Sequence, residues 1–177
     1  MIVCAGQSEQ IRGAIPIGIG LLESSYTLCK LLQRRKPNEI LFIGSAGSYG
    51  RYKLFDEVTS CSATQIEVSY LESLSYTPLD NLKIENVSCE TNIIVNSSNY
   101  ITQDKNASQR FLKMGIDLEN MEFYSVMYIA NKFGIKAKGK FVITNYCDEN
   151  AHSDFIKNQK KANELMEKIV KDLGFRF

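Results

Sequence analysis

The sequence predicts an α/β sandwich built on a mainly parallel sheet. Two observations predict it. Short apolar runs alternate with longer helix-periodic segments, and the first full set reads strand, helix, strand, the order that lays two strands parallel. Two polar turns, Gly44–Gly50 and Asn145–Asn150, follow two buried strands, the place where open α/β sheets bind ligands.

Each element has a local reason. Met1–Gly6 reads as a first strand, and Ile15–Ile19 is a short apolar stretch ending in Gly18-Ile19-Gly20. Leu21, Leu22, Ser25, Leu28, Cys29 and Leu32 then share one helical face. Arg34, Arg35 and Lys36 suit the negative end of that helix dipole, and Pro37 stops it. Glu39–Ile43 is a buried strand entering a glycine-rich turn. The middle is β-rich, with strands expected at Val58–Cys61, Gln65–Tyr70 and Ile84–Val95 and Pro78 in a loop. Helices are expected at Ala107–Met114 and Leu118–Phe133, the second closed by Gly134. Lys140–Thr144 is a further buried strand, and a helix over Ser153–Leu173 carries an inner stripe of Phe155, Ala162, Leu165, Met166, Ile169, Val170 and Leu173.

Composition narrows the function. The 177 residues fit one domain, expected over 1–177, and a core large enough to need no staple. A formal net charge of +1 gives no field for nucleic acid or an anionic membrane, so neither is an expected partner. No apolar run reaches membrane-spanning length, and the start lacks a secretory leader's basic and apolar regions. Cys4, Cys29, Cys61, Cys89 and Cys147 form no C-x-x-C pair, and His152 is the single histidine. The expectation is five reduced thiols, no metal and a cytoplasmic location.

Four places have side chains suited to chemistry. In Gly44-Ser45-Ala46-Gly47 small residues let backbone N–H groups approach an anion or sugar hydroxyl; the alternative is a tight turn with glycines at positive φ. Glu122 sits among apolar residues of the expected helix. It either reaches solvent or accepts hydrogen bonds from a sugar diol. Asn145 closes a buried strand with an amide able to read a base edge or to cap the turn. Tyr100 either stacks on a base or belongs to the core. Gly18-Ile19-Gly20 is a poor dinucleotide fingerprint because Glu23 stands where a third small residue is needed, so no organic cofactor is expected.

Together these pieces resemble the nucleoside phosphorylases and the related methylthioadenosine/adenosylhomocysteine nucleosidases, from about Ile15 to Val170. Ile17-Gly18-Ile19-Gly20 resembles the family's Ser-Gly-Ile-Gly turn, and Gly44-Ser45-Ala46-Gly47 its Gly-Ser-Ala-Gly turn. Ala63–Val68 is similar to a segment usually ending in Asp-Val, and Ser97-Ser98-Asn99-Tyr100-Ile101 to the segment lining the base pocket. Asn120-Met121-Glu122 resembles the Met-Glu ribose clamp, and Ile143-Thr144-Asn145 falls where the family has Ile-Ser-Asp or Ile-Thr-Asn.

The resemblance implies a three-layer α/β sandwich with a central mixed, mostly parallel sheet, and cleavage of a purine N-glycosidic bond. Glu122 would hold the ribose hydroxyls with Met121 against the sugar. Tyr100 and the backbone of Ile101 would sandwich the base, and Asn145 would bond the purine at N7 and the 6-position. The nucleophile would attack near Ser45 and Gly20. Asn145 in place of the acid of adenine-directed enzymes implies 6-oxopurine nucleosides and a phosphorylase, with phosphate as co-substrate and ribose 1-phosphate as product. Three departures point the other way: Phe42 stands where hexamer-forming phosphorylases have a phosphate arginine, the N-terminal phosphate loop is short, and Ile17 replaces a Ser. Arg12 or Arg51 would then have to supply the charge. Alternatively Glu9, in Gly6-Gln7-Ser8-Glu9, answers to a nucleosidase glutamate, and the reaction is hydrolysis. A binding protein that kept the fold and lost the chemistry is the third reading. The family's habit of building sites at dimer interfaces implies a homodimer or larger homo-oligomer.

Overall fold

The computed structural model describes residues 1–80, 82–85 and 91–174. Among these residues nine strands form one mixed sheet. In chain order they are β1 (Ile2–Cys4), β2 (Ile15–Pro16), β3 (Glu39–Ser48), β4 (Glu57–Ser60), β5 (Ser62–Thr64), β6 (Lys83–Glu85), β7 (Ile94–Ser97), β8 (Leu118–Asn120) and β9 (Lys136–Tyr146). The helices are α1 (Gly20–Arg34), α2 (Val68–Leu71), α3 (Lys105–Lys113), α4 (Phe123–Lys132) and α5 (Ala151–Asp172).

Period-two alternation along the central strands makes the three layers. Val3, Ile40, Phe42, Phe141 and Ile143 pack with Leu28 and Leu32 of α1 and Val126 and Met127 of α4. Ile2, Cys4, Leu41, Ile43 and Val142, one residue out of phase, pack with Ala162, Met166, Ile169 and Val170 of α5. The expected three-layer sandwich with a mixed sheet is therefore the observed one. None of the helices among the described residues is long and apolar enough to cross a membrane.

The site follows from how β3 is paired. One edge bonds β9 in parallel over its whole length. The other edge bonds β1 at Leu41 and Phe42 and then, five residues later, antiparallel β8 at Gly47 and Ser48. The stretch between has neither neighbour, and a crevice opens there, as at the switch points of α/β sheets.

Several local expectations are corrected. Gly44–Ser48 is strand rather than turn, and Asn145 lies inside β9 rather than in the turn after it. Gly44 and Gly47 are not among the positive-φ glycines; what they lack is a Cβ, which at Gly47 would lie 2.7 Å from Cys147 Sγ and 2.9 Å from Asn145 Nδ2. Gln65–Tyr70 is not a strand: β5 ends at Thr64 and the short α2 follows. The expected helix Leu118–Phe133 starts only at Phe123, because Leu118–Asn120 pairs with β3 and β7. Of the expected strand Ile84–Val95, 84–85 lie in β6 and 94–95 in β7, 91–93 are not strand, and residues 86–90 lie outside the described residues. On α1 the buried line is Gly20, Ser24, Leu28 and Leu32, which leaves Leu22 82% exposed. Likewise Leu173 is exposed at the end of α5.

The thiols also differ from expectation. Cys4, Cys29 and Cys147 are free, whereas Cys61 is disulfide-bonded. Spacing along the chain excludes local pairs such as C-x-x-C but says nothing about cysteines brought together by strand pairing. Cys89 lies outside the described residues.

Candidate active site

A cavity of about 230 Å³ occupies the crevice beside β3. Its wall takes Ser45, Ala46 and Gly47 from β3, Glu119–Glu122 from β8 and the residues after it, Asn145 from β9, and Glu9 from the turn after β1. Ile19, Ile101 and, from α5, His152 and Phe155 complete it.

Glu9 reaches this point through a tight turn. Gly6 and Gln7 take positive φ, and Glu9 N–H donates to Gly6 O at 3.0 Å. The buried carboxylate then accepts from Ser45 twice, from the hydroxyl and, at 3.2 Å, from the backbone N–H of the β3 stretch that has no strand neighbour on that side. Burial pushes Glu9 above the usual carboxylate range, and the two Ser45 bonds pull it partly back.

Glu122 sits where β8 gives way to α4. Asn120 caps that helix, accepting from Phe123 N–H at 2.9 Å, and its Nδ2 donates to Glu122 Oε2 at 2.9 Å. Glu122 Oε1 accepts from Gly20 N–H, the positive start of α1, at 2.9 Å. Burial dominates nonetheless: with the Glu9 charge adding to it and the Gly20 bond opposing it, Glu122 is pushed up to about 8. A buried carboxyl that resists ionisation beside another carboxyl is poised to receive hydroxyl donors or a developing cation.

Asn145 is placed by a bulge. Ala46 pairs with Ile143 but Gly47 pairs with Asn145, so Thr144 is the extra residue on β9. Asn158 of α5 satisfies the bulge by donating to Thr144 O at 2.8 Å. The Thr144 hydroxyl donates to Asn145 Oδ1 at 2.9 Å, and Asn145 Nδ2 donates to Tyr146 O at 3.0 Å. A carbonyl only accepts, which fixes the amide orientation and leaves one N–H of Nδ2 free of these bonds.

Of the remaining candidates, Met121 and Ile101 line the cavity. Gly20 does not; its contribution is the N–H that holds Glu122. Tyr100 is 78% exposed and lines a separate cavity of about 270 Å³ that shares Ile101 and Glu119 with the first. Phe42 is fully buried against Phe123 and Phe141, and among the described residues no Lys or Arg lines the cavity beside β3. Arg51 instead pairs with Asp117 at 2.7 Å, and Arg12 is not part of the wall. Among the described residues, no cluster of three His, Cys, Asp or Glu side chains is placed to hold a metal ion.

Sequence reasoning missed Glu119, His152 and the cavity role of Phe155. Glu119 is buried; its Oε1 accepts from Thr102 N–H at 2.9 Å, and its Oε2 from the hydroxyls of Thr102 and, at 2.8 Å, Tyr49. The Cys147 thiol also donates to it, and burial raises its pKa against these bonds. Read as part of a helix, Leu118-Glu119-Asn120 offers no signal; read as a strand opposite Gly47, it does.

A family model described as the phosphorylase superfamily matches residues 86–173. No curated protein sequence matches the chain. Among solved structures, a mutant Helicobacter pylori methylthioadenosine nucleosidase with 5'-methylthioadenosine in its active site is 19% identical, with 97% of this chain and 95% of that one covered and a TM-score of 0.79. Native futalosine hydrolase of the same organism is 18% identical, covering 96% and 94%, with a TM-score of 0.80. The Streptococcus pyogenes S-adenosylhomocysteine nucleosidase in complex with 5-methylthiotubericidin is 14% identical, covering 96% and 92%, with a TM-score of 0.75. The resemblance read from the motifs thus holds in sequence over the carboxyl-terminal half and in fold over nearly the whole chain.

Proposed function

We propose that this chain, with its phosphorylase-superfamily fold, hydrolyses the N-glycosidic bond of purine nucleosides, releasing free base and free sugar. The observation that carries the reading is the Glu9–Ser45 pair in a cavity wall without Lys or Arg. Phosphorolysis must hold a phosphate anion beside the sugar. Here that place has two buried carboxyls and, among the described residues, neither Lys nor Arg to offset them, which favours a neutral nucleophile. The solved relatives named for nucleosidase and hydrolase activity support the same preference over phosphorolysis.

In this reading Glu122 accepts the ribose hydroxyls with Met121 against the sugar. Glu9 takes the proton of the attacking water as its oxygen bonds the anomeric carbon. A base with a raised pKa suits that step near neutrality. The glycosidic C–N bond breaks, its electrons pass to the purine, and solvent returns the proton. The free N–H of Asn145 stabilises the charge gathering at N7, a donor worth roughly 10²–10³ in rate. Asn cannot hand over a proton, so a 6-oxopurine, which leaves more readily as an anion than adenine, is the fitting base.

The test is chromatographic. Inosine, guanosine, adenosine and methylthioadenosine are each incubated with the protein, with and without phosphate. Hypoxanthine and guanine released without phosphate are expected. Release only with phosphate would make it a phosphorylase, and no release from any nucleoside would leave a binding protein on this fold.

A further inference from the structure

The turn that carries Glu9 is held from two sides. After β1 the chain reverses over Gly6, Gln7, Ser8 and Glu9, with Gly6 and Gln7 at positive φ. Left-handed backbone is unfavourable for a residue with a side chain, so Gln7 makes this a turn that its surroundings must impose. On the sheet side, Ser45 holds the Glu9 carboxylate through its hydroxyl and its N–H. On the helix side, Asn163 of α5 donates from Nδ2 to Ser8 O at 2.8 Å, across 155 residues of sequence. The turn is thus clamped between the sheet and one helix layer.

Asn163 is a poor choice for stability alone. Its Nδ2 reaches Ser8 O while its Oδ1 is left buried with no hydrogen-bond partner. One turn earlier on the same face, Gln159 Nε2 is also buried without a partner, and one turn before that Phe155 lines the cavity. A buried polar atom left unpaired costs more than one hydrogen bond near the surface contributes, and a leucine of similar size would remove that cost. Native proteins keep such groups chiefly where a site needs them. The same helix already serves the site elsewhere: Asn158 holds Thr144 O and with it the bulge beside Asn145.

Resting on the nucleosidase reading, we infer that Asn163 is a positioning residue for hydrolysis: it keeps the Glu9 turn closed against β3, so that the Glu9 carboxylate stays on Ser45 and faces the place of the attacking water. Release of Ser8 lets the left-handed turn relax outward and takes Glu9 off the Ser45 N–H. Asn163 itself does not line the cavity. Its effect falls on the rate of the chemical step and not on nucleoside binding, because Glu122 and Asn145, proposed to hold the nucleoside, are tied by other bonds.

The test compares Asn163→Leu with the unaltered chain in inosine hydrolysis, in thermal unfolding and in amide hydrogen exchange followed by NMR at Ser45 and Glu9. In the variant kcat is expected to fall about five- to tenfold, the factor one net hydrogen bond supports, with KM unchanged. The Ser45 and Glu9 N–H groups should exchange faster by a similar factor while core amides do not, and Tm should hold or rise. Asn163→Gln, which keeps the donor on a longer arm, should recover part of both effects. With an active unaltered chain, unchanged kcat in Asn163→Leu overturns the proposal, and so does unchanged exchange at Ser45. A fall in Tm with faster exchange across the whole sheet would make Asn163 merely structural and overturns it as well. If the unaltered chain hydrolyses no nucleoside, the hydrolysis reading falls, and local exchange at Ser45 alone decides whether Asn163 holds Glu9 in place.

Discussion

The two ends of the cavity reach their chemistry by opposite means. At the sugar end, Glu9 and Glu122 are buried within reach of each other's charge, and burial holds both above the normal carboxylate range. At the end proposed to hold the base, Asn145 and Glu119 are separated by Gly47 and held by several hydrogen bonds, with one Asn145 N–H left over. Under the proposed hydrolysis the Glu9–Glu122 end would be an electrostatic device, unfavourable until something positive, such as a ribosyl carbon losing its base, arrives between the carboxyls. The base end is a geometric device, in which a missing Cβ and a one-residue bulge set where two ordinary side chains point.

The comparison predicts that charge and shape changes will have different costs. The largest effect is expected at the sugar end. Glu122→Gln and Glu9→Gln should each lower kcat for hydrolysis by about a thousandfold, within the range for losing a positioned base or a transition-state contact. Steady-state kinetics on inosine would check this, and near-full activity in Glu122→Gln would remove the ribose clamp. Folding should survive, because the amide keeps the acceptor for Gly20 N–H.

A smaller effect is expected when the base end is crowded. In Gly47→Ala the new methyl would lie 2.7 Å from Cys147 Sγ and 2.9 Å from Asn145 Nδ2, so both must move. A stability loss of about 1–3 kcal/mol follows from such overpacking. Activity should fall about tenfold, with KM for the nucleoside rising, as the amide leaves its place. Urea unfolding and kinetics on the same variant would separate the two.

The smallest effect is on stability without ligand. Burial on folding raises the Glu122 pKa from its ordinary 4.5 to about 8. Between those values the folded chain binds more protons than the unfolded chain, so stability falls as pH rises through that window. Thermal unfolding from pH 5 to 8 should show Tm declining, and Glu122→Gln, which cannot titrate, should flatten the decline. An unchanged slope in the variant would assign the pH dependence to other groups.

How much of this was readable beforehand depends on the range of the interaction. The alternation of Ile40, Leu41, Phe42 and Ile43 and the helical stripe of Ala162, Met166, Ile169 and Val170 are local patterns, and the sandwich follows from them. Glu9, Ser45, Met121, Glu122 and Asn145, singled out by motif resemblance, line one cavity, whereas Tyr100 is exposed outside it. Glu119 was hidden by reading a strand as the start of a helix. The helix expectation over Leu118–Phe133 was reasonable on periodicity. Pairing with β3 and β7 overrode it.

The sequence by itself determined the alternation of the central strands, the inner stripe of the last helix and the residue types available for chemistry, because burial periodicity is written within a few neighbouring residues. Only the tertiary structure decided that Glu9 meets Ser45 at the unpaired edge of β3, that Thr144 bulges so that Asn145 rather than its neighbour stands beside Gly47, that Glu119 stands on the other side of Gly47, and that Cys61 is bonded while Cys147 is free. The places of Asn145 and Glu119 depend on strand register between segments far apart in the chain, and a shift of one residue would turn both side chains to the other face.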